Sequence, residues 1–203
     1  IAEAFDVWEE ADKALKNNQS GAEYNIAYVT ERLFSAYSWS HFFNTTEDEF
    51  IMDDDVMSNS CKIIISEAQE RVEYFRLLYP YPLPLLESTS KEIDKALNYF
   101  NNNRFKMCLM HATKAKSEID AVLGSINLEE DELIKLLNAK LGLAEQIILE
   151  QQLNGLFPIQ GYSYYEYAKS LGQEDPISGL IYSQYALEFS NLNLYFERIE
   201  NKN

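Results

Sequence analysis

The tetrapeptide Asp-Lys-Ala-Leu occurs twice, at residues 12–15 and 94–97, and each copy leads through an Asn-rich break into a second stretch with helical spacing. After the first copy come Asn17, Asn18 and Gly21, then Tyr24, Ala27 and Tyr28. After the second come Asn101, Asn102 and Asn103, then Phe105, Cys108, Ala112 and Ala115. A looser third copy runs through Tyr164, Tyr167, Ala168 and Leu171, breaks over 172–176, and resumes with Ile181, Tyr182, Tyr185 and Ala186. A lone helix–break–helix unit cannot bury its apolar face, so its recurrence predicts hairpins packed on one another. The expected fold is all-α: an array of about eight helices in antiparallel hairpins, curved enough to offer a concave face.

Apolar spacing predicts a first helix over about 2–17, with Ala4, Phe5, Trp8, Ala11 and Leu15 on one face. A second, about 21–43, carries Tyr24, Ala27, Tyr28, Leu33, Phe34, Tyr37 and Trp39 and ends at Asn44, Thr45 and Thr46. Asp53 to Asp55 can cap a third helix over about 53–79. Pro80, Pro82 and Pro84 then predict an extended connector, since each forbids continued helix. The fourth helix is expected over about 89–101, capped by Ser88 or Ser90, and the fifth over about 103–123, stopping at Gly124. Asn127 followed by Glu129, Glu130, Asp131 and Glu132 marks the start of a sixth, ending near Asn154 and Gly155. Residues 157–161 read as a tight loop before a last pair at about 162–172 and 176–200, with Asp175 as cap and Pro176 in the first turn. The chain therefore reads as a single helical domain over 1–203 with a sub-boundary near 80–88.

Charge removes several classes of partner. Lys and Arg number 17 against 33 Asp and Glu, a formal charge of −16, and no basic run exists. A phosphate backbone or an anionic lipid surface needs clustered cations, so neither nucleic acid nor membrane docking is expected of this segment. The acidity reads as a solvated surface. No apolar run approaches the roughly 20 residues that span a bilayer. Opening on Ile1 inside a helical pattern, the chain reads as an excised piece of a longer polypeptide.

Residues able to carry chemistry are few. His41 and His111 lack the acid three residues earlier that a di-iron helix pair requires, and each reads as a surface or partly buried side chain. Glu47, Asp48, Glu49, Asp53, Asp54 and Asp55 lack the Gly and terminal Glu of a calcium loop and read as helix capping. No nucleophile elbow, Cys–His signature or Gly-rich phosphate loop appears. No metal or cofactor is expected. Cys61 and Cys108, both in apolar helical surroundings and outside any CxxC motif, read as buried free thiols in preference to a disulfide.

One cluster stands apart. Phe157, Tyr162, Tyr164, Tyr165 and Tyr167 crowd five rings around a turn. They read as core of the last hairpin or, alternatively, as an aromatic-lined groove for an extended peptide. They are the candidate protein-binding residues.

Tyr99, Asn103, Phe105, Cys108, Ala112 and Ala115 fall at the offsets where the tetratricopeptide motif has aromatic, Gly, aromatic, Ala, bulky and Ala, so this hairpin resembles a tetratricopeptide unit. A resemblance covering most of the chain rests on Gly161, Tyr162, Ser163, Tyr164, Tyr165, Glu166, Tyr167, Ala168, Lys169, Ser170 and Leu171. It continues through Asp175, Pro176, Tyr182, Ala186, Leu187, Glu188, Ser190, Asn191 and Leu192. This run resembles the C-terminal helical region of archaeal Lon-like serine proteases. The resemblance implies a non-catalytic module whose Ser–Lys proteolytic domain precedes Ile1 and whose membrane anchor follows Asn203, outside the cytoplasm. The implied function is a scaffold that positions the protease and binds substrate or partner proteins. The runner-up is a free-standing helical-repeat scaffold that binds peptides, and the third reading is an all-α enzyme.

Overall fold

A computed structural model of the protein describes residues 2–17, 20–41, 52–80, 84–172 and 174–195. Their architecture is all-α, with eight helices: α1 (Ala2–Lys16), α2 (Ala22–Ser40), α3 (Asp54–Leu78), α4 (Pro84–Asn101), α5 (Phe105–Ser125), α6 (Glu130–Leu153), α7 (Ile159–Leu171) and α8 (Pro176–Phe189). A short 3-10 turn, Leu192–Leu194, follows α8. The expected all-α array is thus observed, and its repeats pair as the sequence predicts, α1 with α2, α4 with α5 and α7 with α8.

Several boundaries follow from capping chemistry. The Asp53 carboxylate accepts from the backbone N–H of Asp55 and Val56 and starts α3, while Asp175 accepts from Ser178 N–H with Pro176 in the first turn of α8. The sixth helix begins later than expected. Glu129 and Glu132 form a reciprocal capping box, and Asn127 sits in the preceding turn at φ +60°. Asn103 adopts φ +56° between α4 and α5, the left-handed region that favours glycine, and holds the position where the tetratricopeptide motif has Gly.

Three expected ends need correction. Helix α4 begins at Pro84 and not near 89, because proline is tolerated in a first turn whose N–H groups have no helical partner anyway. Helix α7 begins at Ile159, so part of the expected loop is helical, and α8 stops at Phe189. The Asn44–Thr46 stop, Glu47 to Glu49 and residues beyond 195 lie outside the described residues.

The chain divides into two compact units, Ile1–Ile51 and Met52–Asn203, and α3 and α4 pack together inside the second. In the first unit α1 and α2 form a hairpin with Ala4, Ala11, Ala22 and Val29 buried. Trp8, Leu15, Tyr24, Leu33, Phe34 and Tyr37, expected on its apolar faces, are exposed.

The second unit is organised around α5, which packs against α3, α4 and α8. Cys108, Leu109, Ala112, Ala115, Ser117 and Ile119 are all fully buried along it. Small side chains let neighbouring helices approach from several sides, and large ones such as Met57, Ala68's neighbour Val72 and Leu109 fill the space between. At the edge of the unit, Asp53 N–H donates to the carbonyl of Tyr195 at 3.3 Å, which joins the start of α3 to the turn after α8.

Cys61 of α3 and Cys108 of α5 are joined as a disulfide, with Cα atoms 6.1 Å apart. This corrects the expectation of two free thiols. Burial was foreseen, but only the packing of α3 on α5 brings residues 47 positions apart into bonding range. Closing a loop of that length should stabilise the unit by about 4 kcal/mol on chain-entropy grounds. A Cys61→Ser/Cys108→Ser double variant should lose stability of that order in urea unfolding; an unchanged midpoint would show that the cross-link constrains little.

Candidate functional site

The aromatic cluster separates into two layers. Tyr165 is buried with Ala144, Ile148 and Ala186. The Tyr164 ring lies against Tyr182, Tyr185 and Phe189 of α8, with centroids 6.0, 5.0 and 5.4 Å away. These two rings hold the α7–α8 hairpin together. Phe157, Tyr162 and Tyr167 are exposed. Phe157 and Tyr162 face each other at 5.3 Å, and Tyr167 stacks on Tyr182 at 5.7 Å. A hydrogen bond to Glu166 and the charge of that carboxylate push the Tyr162 hydroxyl above its ordinary pKa.

The hairpin can close this tightly because of its glycines. A Cβ on Gly161 would collide with Ser190, backbone included, and one on Gly179 would come within 2.8 Å of the Gly172 Cα. Both ends of α7 thus press directly on α8 backbone, which turns the ring-bearing faces of the two helices together. The sequence places Gly161 in a loop and Gly172 in a break and gives no signal for Gly179, since a close helix approach leaves no mark of its own in a single sequence.

Beside the hairpin, α6 and α7 flank a groove of about 570 Å³. Ile134, Leu137, Asn138, Leu141, Gly142 and Glu145 line it from α6, and Tyr165, Ala168, Lys169 and Gly172 from α7. Leu137, Tyr165 and Ala168 at its base are buried, while Asn138, Glu145 and Lys169 make much of its exposed lining polar. The Lys169 ammonium lies 5.1 Å from the centre of the Tyr165 ring. The volume is within the range of sites that take a small molecule or the side chains of a peptide. Of the five candidate rings the groove uses Tyr165 directly, and its α6 wall was not foreseen.

A second cluster carries the titratable groups. Glu92 of α4 accepts a 2.8 Å hydrogen bond from His111 Nδ1, whose ring stacks on Tyr99 at 5.2 Å. His111 is therefore a core residue and not a surface or partly buried one. Glu118 accepts from the hydroxyls of Thr89 at 3.1 Å and Tyr185 at 2.7 Å, linking α4, α5 and α8. Further along α5, Lys116 pairs with Glu188 at 2.7 Å and Glu67 at 3.3 Å, and Asp120 pairs with Arg71 at 2.6 Å. These groups tie four helices together through hydrogen bonds and ion pairs, a structural use of buried and half-buried charge. Among the described residues no group of three or more His, Cys, Asp or Glu could hold a metal ion. No described helix is long and apolar enough to cross a membrane.

The fold and groove define an all-α helical-hairpin protein with a surface cleft between two helices. No family model, curated protein or solved structure matches the chain.

Two predictions follow from this geometry. Gly161→Ala should destabilise the second unit by about 1–3 kcal/mol through overpacking. Gly142→Ala, where a Cβ meets nothing within 4 Å, should stabilise it by about 1 kcal/mol through helix propensity. Equal effects in chemical denaturation would contradict this division of roles.

Burial pushes Glu118 above its ordinary pKa, although Tyr185, Lys114 and Thr89 oppose it. Its ionisation therefore costs stability above the folded pKa, and that cost disappears below the ordinary carboxylate range. Glu92 behaves oppositely: burial raises it, but the His111 hydrogen bond and the charges of Lys114, His111 and Lys95 bring it below its ordinary value. Its contribution is present at neutrality and lost as pH falls through the folded pKa. Melting temperature should first rise and then fall on acidification from neutrality. Burial also raises Asp120, against the opposing charges of Arg71 and Lys116, so Glu118→Gln should reduce the initial rise and leave a part due to Asp120; a rise of unchanged size would remove Glu118 as a cause.

Proposed function

We propose that this chain is a non-catalytic helical scaffold that binds protein or peptide partners, as the helical region of an archaeal Lon-like serine protease. The observation that carries the scaffold reading is the α6–α7 groove, with Leu137, Tyr165 and Ala168 at its base and the exposed rings of Phe157 and Tyr162 on the same hairpin region. Rings at a surface offer large contact area for little lost entropy, the common chemistry of protein recognition. The protease setting rests on the residues of 161–192 that resemble that family's helical region, which together form α7 and α8.

Two further features support it. The titratable groups of the core are committed to helix–helix bonds, leaving the surface cleft as the place where a partner can act. A buried Cys61–Cys108 disulfide suits a chain that folds in an oxidising compartment, as an extracytoplasmic module of a tethered protease would. In this reading the module spaces the proteolytic domain and engages substrate or partner chains without supplying a nucleophile.

Gene sequence upstream of the Ile1 codon should encode a Lon-type domain with its Ser–Lys dyad. An unrelated domain there sinks the protease setting and leaves a free-standing scaffold. Purified chain should leave casein intact, and cleavage by the chain alone would overturn the non-catalytic reading.

A further inference from the structure

Gly142 is the glycine with the least local reason to be one. It lies midway along α6, a 24-residue helix whose interior disfavours glycine. Its φ is not in the left-handed region, and a Cβ there would meet nothing within 4 Å, whereas Gly161, Gly172 and Gly179 are each pressed by a neighbour. The space left open is the groove, directly beside the buried Leu137, Tyr165 and Ala168.

Charge narrows what can enter. Glu145, one turn beyond Gly142, lines the same groove, and no described cation forms an ion pair with it. The one cation of the lining, Lys169, is drawn over the Tyr165 ring. A second copy of the chain would bring another net charge of −16 against this carboxylate. An anionic ligand is disfavoured for the same reason.

We infer that the groove over Gly142 receives a bulky apolar side chain of a peptide segment, with an adjacent Lys or Arg of that segment paired to Glu145. This rests on the scaffold reading and assigns its partner class. The apolar side chain fills space over Leu137 and Ala168, and the neighbouring cation supplies specificity at the rim.

A library of random dodecapeptides selected on the folded chain tests it. Enrichment of peptides joining Phe, Leu or Met to Lys or Arg is expected. The selected peptides should bind about tenfold more weakly to Gly142→Leu, measured by fluorescence anisotropy. They should keep their affinity for Gly142→Ala, which also controls for changes in helix stability. Glu145→Lys should shift the selected charge from Lys and Arg to Asp and Glu, a readout independent of affinity lost through misfolding.

Peptides that bind wild type and Gly142→Leu equally would overturn the groove assignment while leaving the scaffold reading standing. No enrichment on wild type overturns the assignment as well. The scaffold reading itself would then be judged separately, by capture of a Lon-type proteolytic domain. A wild-type dimer in sedimentation that dissociates in Gly142→Leu would give the groove to a second copy and also overturn the inference.

Discussion

Everything in the second unit depends on α5 being enclosed by α3, α4 and α8. A helix with solvent on one side can place its polar residues there; this one has no such freedom along much of its length. Cys108, Ala112, Ala115 and Ser117 keep its girth small enough for neighbours to close in. Buried His111 and Glu118 and half-buried Lys116 and Asp120 find partners on other helices, because a fully buried charge left unpaired would cost several kcal/mol. The partners are shared among α3, α4 and α8, so the polar bonds specify which helices lie beside α5 as well as stabilising their packing.

The disulfide belongs to the same enclosure. Cys61 and Cys108 meet because α3 lies along a stretch of α5 where both side chains are fully buried. The covalent link and the ion pairs of Arg71 with Asp120 and of Lys116 with Glu67 join the same two helices at successive points. The α6–α7 edge has no comparable cross-link. Its groove lies beside a hairpin held by rings and by glycine contacts, away from the charged seams.

Local chemistry was readable from the sequence and pairwise geometry was not. The repeated Asp-Lys-Ala-Leu located two hairpins, and Asp53, Asp175 and Pro176 marked helix starts because a cap acts within one turn. Pro84 misled because proline both ends helices and begins them, and the choice depends on whether a following turn packs. The fate of Cys108 and His111 depended on residues 47 and 19 positions away, beyond the reach of helical periodicity. The tyrosine-rich run signalled the right hairpin, but its division into Tyr164 and Tyr165 inside and Tyr162 and Tyr167 outside follows from the glycine contacts that set the angle of α7. The α6 wall of the groove carries no motif, and Gly142 becomes informative only when its surroundings are seen to be empty.

The bond between Asp53 N–H and the Tyr195 carbonyl has an architectural consequence. It pins the start of α3, the first helix of the unit, to the 3-10 turn that follows α8, so fraying of either segment would expose the other.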